Sequence, residues 1–159
     1  MRVIESFVDT EKELASLQIP AESAVVIRKA RVLITRVLGG LDPREIIPRH
    51  GPGAVATGET VAEKSNLSET YPLLEAMYPF TEYMMLGLNH ISDSLDHNNE
   101  LGHVRLSDTP TAKVVLVPKD SRGPRLISCE PLSIQWIQQG IRTAMYDRIE
   151  SHRLTRGHV

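Results

Sequence analysis

Val117-Pro118-Lys119-Asp120-Ser121-Arg122-Gly123-Pro124-Arg125-Leu126-Ile127-Ser128-Cys129-Glu130-Pro131 is the stretch from which the fold of this 159-residue chain is best read. The β-branched run Ala112 to Val117 leads into it, and Arg125 to Ser128 is a second such run. Two short strands joined by a turn-rich loop from Pro118 to Pro124 predict a β-hairpin. Lys119, Arg122 and Arg125 then project from a loop stiffened by two prolines, so their charges can converge. Cations held this way suit a triphosphate or an RNA backbone. A guanidinium grips phosphate oxygens as a fork, an ammonium adds a compact charge, and each charge-assisted bond is worth about 1.5 to 3 kcal/mol. A basic hairpin that meets only water has the same pattern.

Beyond the hairpin, Pro131 to about Arg153 predicts a helix, with Ile134, Ile137, Ile141, Ala144, Met145 and Ile149 on one stripe. Pro131 suits its first turn and Glu130 its positive end. Before the hairpin, Asp93 to Asp108 is rich in Asn, Asp and His and reads as an exposed connection. Ser68 to about Ser94 reads as helical, with an interruption near Pro79. Pro20 to Leu38 is the clearest helix: Val26, Ile27, Ala30, Leu33, Ile34, Val37 and Leu38 fill one face, and Gly39-Gly40 stops it. Arg28, Lys29, Arg31 and Arg36 lie on its other side, which fits a nucleic-acid groove and equally a solvated face. A short acidic helix is expected over Asp9 to Leu17. The fold class is therefore α+β, mostly helical with one β-hairpin. It divides into an N-terminal helical segment over 1–47 and a segment over 48–159 that holds a glycine-rich loop, the hairpin and the last helix.

The glycine-rich tract runs from Arg49-His50-Gly51-Pro52-Gly53 to Thr60. Gly53 and Gly58 have the spacing of a phosphate-binding loop, but Glu59 stands where that motif needs its lysine, and a carboxylate there repels phosphate. What remains is a turn beside Arg49 and His50 whose backbone N–H groups can approach a phosphate, or a plain structural turn. The six histidines form no H-x-x-x-H pair, and one cysteine, Cys129, excludes the usual zinc patterns. His90, Asp93, Asp96 and His97 offer at most a loose cluster in a solvated loop.

Apolar residues at 41% and charged residues at 24% exclude disordered, collagen-like and disulfide-scaffold classes. No apolar run exceeds four residues, far short of the roughly twenty a membrane span requires, so no membrane association is expected. With a lone cysteine and no leader pattern, a reducing cytoplasm is the expected compartment. The net charge of −2 hides an asymmetry: from Thr111 onward eight Lys/Arg face four acids, a net of +4, which leaves −6 elsewhere. Either the C-terminal third faces an anion, or solvated charges happen to fall there.

Two stretches resemble the RNA-directed RNA polymerases, or replicases, of single-stranded RNA bacteriophages, the levivirus group. Arg49 to Ala56 is similar to that family's R-x-G-P-G-A loop. Val117 to Pro131 is similar to its V-P-K... R-x-I-x-x-E-P signature, polymerase motif F, and Gln138-Gln139-Gly140 fits the helix that follows. The resemblance spans roughly 48–159, with unmatched tracts between. It implies the fingers portion of a right-hand polymerase, in which Lys119 and Arg125 contact incoming triphosphate or template backbone. Arg122 and Arg49 assist, Gly51 and Gly53 shape the loop, and Glu130 orients the arginines or caps the last helix. It further implies nucleotidyl transfer with magnesium in the intact enzyme, RNA template and nucleoside triphosphates as partners, host elongation factors Tu and Ts as subunits, and the cytoplasm of the bacterial host.

The family's palm carboxylates, a D-x-x-x-x-D motif and a G-D-D motif, do not occur in this chain. The expectation is thus a fragment with the palm missing and a truncated N-terminal end, inactive by itself and without metal ligands of its own. Two rival classes are a stand-alone, non-catalytic RNA-binding module and an interaction domain whose basic hairpin meets an acidic partner.

Overall fold

A computed structural model of the chain describes residues 2–85, 104–120 and 123–157. Helix and strand are mixed, with helix predominating. In chain order come α1 (Arg2–Ser16), a 3-10 turn (Ala21–Ser23), α2 (Ala24–Leu38), β1 (Glu69–Thr70), α3 (Pro72–Met77) and α4 (Phe80–Tyr83). β2 (Arg105–Leu106), β3 (Lys113–Asp120), β4 (Gly123–Cys129) and α5 (Leu132–Ser151) follow. The chain forms two compact units that are each discontinuous in sequence. One contains Met1–Gly40, Val114–Ser128 and Arg148–Val159, the other Leu41–Lys113 and Cys129–Asp147.

The second unit carries a cluster of buried apolar residues: Ile46, Val55, Leu67, Tyr78, Phe80, Met84, Leu132, Trp136 and Ile137. Leu132, Trp136 and Ile137 recur at helical spacing, so α5 turns one face into this cluster. Gly140 lies on the same face. A Cβ there would meet the Pro48 Cα at 3.0 Å and the Ile47 carbonyl oxygen at 3.1 Å, so only glycine lets the 46–48 backbone run this close. Tyr78 and Tyr83 pack edge to face at 5.2 Å and donate their hydroxyls to the carbonyls of Pro43 (2.9 Å) and Arg44 (2.8 Å). The irregular 42–48 segment is thereby held at its start.

The helical stretch expected over Ser68–Ser94 starts later than expected and breaks near Pro79 as expected, while residues 86–94 lie outside the described residues. Residues 69 and 70 instead form a strand, because Glu69 pairs in parallel with Arg105, and Thr70 with Leu106. The Arg105 guanidinium also donates to the Glu69 carboxylate at 2.7 Å. A helix then begins at Pro72, where a missing N–H costs nothing. The expected exposed connection over Asp93–Asp108 contributes β2 at its end; its earlier part lies outside the described residues.

In the first unit, α2 matches the predicted helix, with its first turn tightened to 3-10. The N-terminal helix is longer than Asp9–Leu17 and reaches back to Arg2. Arg148 donates to the carbonyls of Val37 (3.0 Å) and Gly39 (2.7 Å), partnering carbonyls that the end of α2 leaves open. β3 and β4 form their own two-stranded sheet, joined by residues 121–122 alone, a connection that only antiparallel strands permit. The expected turn-rich loop is therefore mostly strand. Proline is tolerated in both strands because each has an outer edge with no ladder bond to lose, and Gly123, at the start of β4, takes the positive φ of 113° that glycine favours.

Candidate nucleic-acid interface

The glycine loop is assembled from the sequence around Lys64. Thr60-Val61-Ala62-Glu63 has the pattern of a capping box. The Glu63 carboxylate accepts from the Thr60 N–H (2.9 Å) and the Thr60 hydroxyl (2.7 Å), and the N–H groups of Glu63 and Lys64 return to the Thr60 carbonyl. These hydrogen bonds hold the exposed Glu63 carboxyl below its ordinary range. The resulting turn drives Lys64 inward until only 3% of it is exposed. Its ammonium donates to the Gly51 carbonyl at 2.7 Å and to the Gly53 carbonyl, with a longer approach of 3.4 Å to Gln135 Oε1. A buried ammonium is tolerable only when its donors are satisfied, and here the loop's own carbonyls satisfy them.

From the other side, α5 completes the loop. Gln135 donates to the Ala54 carbonyl (3.3 Å), and the Ala56 N–H donates to the Glu130 carbonyl (2.9 Å). Arg49 is held along the helix by a bond from its guanidinium to the Thr143 hydroxyl (3.0 Å). The His50 ring leans on Trp136, with centroids 4.3 Å apart, and the Trp136 indole donates to the Tyr83 carbonyl at 2.7 Å. Partial burial, and then the charge of Lys64, lower the pKa of His50 below 6.5, so its neutral form is the favoured one in the fold.

Arg49, Gly51, Gly53 and Glu130 therefore belong to one unit, where the loop closes on the start of α5. Gly51 is buried, and a Cβ on it would come within 3.2 Å of the Gln139 side chain. Arg125 is exposed on β4, in the other unit. The backbone of Lys119 lies in β3, so Lys119 and Arg125 ride on strands rather than on a loop, while the Lys119 side chain and the whole of Arg122 fall outside the described residues. Some cations counted in the basic C-terminal third have local tasks: Arg148 serves α2, and Arg142 stacks over the Tyr146 ring at 4.8 Å.

The residue that sequence reasoning missed is Lys64, and its signal was available in the T-x-x-E box just before it. Glu59 lines a cavity of about 330 Å³ together with Glu69, Arg105 and Ser133. Burial pushes the Glu69 pKa up, but hydrogen bonds from Ser107 and Arg105, with the Arg105 charge, leave it lowered overall. The His90–His97 cluster lies outside the described residues. Among the described residues no group of three His, Cys, Asp or Glu is placed to hold a metal. None of the helices among the described residues is long and apolar enough to cross a membrane.

No family model, no curated protein and no solved structure matches this chain.

Proposed function

We propose that this chain is a fingers-side part of an RNA-directed RNA polymerase of the single-stranded RNA phage type, serving contacts to triphosphate and RNA backbone rather than bond making. The observation that carries this reading is the meeting of the R-H-G-P-G loop with Glu130-Pro131, the end of the motif F stretch. These segments stand about eighty residues apart in sequence and join through the Ala56–Glu130 hydrogen bond. The loop that resembles the family and the last residues of the second stretch, Cys129 to Pro131, thus meet within one compact unit.

On this reading Lys119 and Arg125, with Arg122, neutralise phosphate from the hairpin, and Arg49 does so from the loop that Gly51 and Gly53 shape and Lys64 locks. The attacking hydroxyl, the palm carboxylates and the magnesium ions they bind would belong to the intact enzyme, which works in the bacterial cytoplasm with elongation factors Tu and Ts. Cations near a triphosphate stabilise charge that grows in the transition state, so they act on both binding and rate.

Replacing Lys119 and Arg125 with Ala in a complete replicase is expected to raise the apparent nucleotide KM by about a hundredfold, or to stop elongation, since two charge-assisted bonds are lost. Unchanged kinetics would reject the assignment. RNA binding by the chain alone is expected to weaken linearly in log affinity against log salt, and a flat response would remove the electrostatic account.

A further inference from the structure

We propose that the chain self-associates through its N-terminal helices, with α1 of one copy lying on the outer face of α2 of a second copy. This goes beyond the polymerase reading and does not depend on it. Along α1, Ile4, Phe7, Val8 and Leu14 fall on one stripe at helical spacing, with Glu11 at its centre. Every residue of α1 from 4 onward is exposed, and Phe7 is 48% and Leu14 56% open to water. The chain's own α2 therefore does not cover this stripe. A fifteen-residue helix with an amphipathic pattern this clear gains most of its stability from burying that face, so it needs an apolar cover.

The outer face of α2 supplies one. Val25, Lys29, Val32 and Arg36 repeat at intervals of three to four residues on a stripe that leaves out Val37, the one buried residue of the helix. Arg28, Lys29, Val32, Leu33 and Arg36 line a groove of about 230 Å³. This face alternates apolar and cationic groups, and α1 sets one acid, Glu11, within its apolar stripe. Their charges are complementary: α2 carries Arg28, Lys29, Arg31 and Arg36 and no acid, whereas α1 carries Glu5, Asp9, Glu11 and Glu13 against Arg2 and Lys12. With Glu11 set over Lys29 and Arg36, the apolar flanks of both helices meet around a paired charge rather than a buried lone one. Exchange of α1 in both directions makes the contact isologous and closes it at a dimer. RNA is the weaker occupant of the α2 face. The helix has no aromatic side chain on which a base can stack, and RNA would leave the α1 stripe in water.

The test is sedimentation equilibrium of the 159-residue chain from low micromolar to several hundred micromolar, at low and high salt. A dimer whose dissociation constant rises with salt is expected. Lys29→Glu/Arg36→Glu and Glu5→Lys/Glu11→Lys, all at exposed positions, should each raise that constant by at least about tenfold. An equimolar mixture of the two variants should recover it to within about threefold, because both contacts of the mixed dimer regain opposite charges. The unaltered chain needs no variant to be informative: a monomer at all concentrations overturns the proposal. So does failure of the mixture to recover, which would mean the helices pair within one chain, and so does an RNA oligonucleotide that protects α2 while the protein stays monomeric.

Discussion

Lys64 is a charge placed where charges are costly, and it is kept there by the carbonyl oxygens of a loop that would otherwise lack partners. Lys64→Met removes the donor and leaves the Gly51 and Gly53 carbonyls short of hydrogen bonds. Chemical denaturation should show a loss of about 1 to 3 kcal/mol, the usual cost of stranding buried polar groups. The same substitution removes one of the two influences that lower the His50 pKa. By NMR titration, His50 should titrate below 6.5 in the unaltered protein and move upward in Lys64→Met. The sign of the pH dependence follows. A histidine with a lowered folded pKa contributes stability that is complete above the unfolded value of about 6.5 and is lost as pH falls through the folded value. Denaturation midpoints should decline over that acid range, and His50→Gln should flatten the decline.

At the scale of elements, α5 is shaped by what passes beside it. Ala is ordinarily the better helix former by about 1 kcal/mol, yet Gly140→Ala should destabilise the protein by about 1 to 3 kcal/mol, because the added methyl meets the backbone of Pro48 and Ile47 rather than a movable side chain. Thermal denaturation gives the sign directly. α2 depends on a partner remote in sequence for its last carbonyls. Arg148→Ala should speed hydrogen exchange in the final turn of α2 and cost about 1 kcal/mol, with the rest of that helix little changed.

At the scale of the molecule, buried residues are unevenly shared. The second unit owns the apolar cluster, while among the described residues of the first only Val37 is buried. Hydrogen exchange should accordingly find the slowest amides in α5 between residues 132 and 145 and much faster exchange in α1, α2 and the hairpin. Equal protection in both units would contradict that assignment.

Helix α2, helix α5 and the pairing of two β-branched runs were legible in the sequence, because each is a local pattern: apolar spacing, a proline at the start, glycines at the end. The strand at Glu69 was not, since it exists only through a partner at Arg105, and a two-residue strand has no periodicity to read. Extension of the hairpin through Pro118 and Pro124 was equally hidden, because prolines read as turn signals, whereas each strand of a two-stranded sheet keeps one edge outside the ladder. The glycine loop and its arginine could be singled out beforehand; the T-x-x-E box marked a turn before Lys64 but not the carbonyls its ammonium would meet. Local spacing determined the two long helices and the two β-branched runs, but not the strand at Glu69 or the reach of the hairpin. Tertiary contact alone decided that the ammonium of Lys64 faces the loop rather than water, since burying a charge depends on which carbonyls the rest of the chain brings within reach.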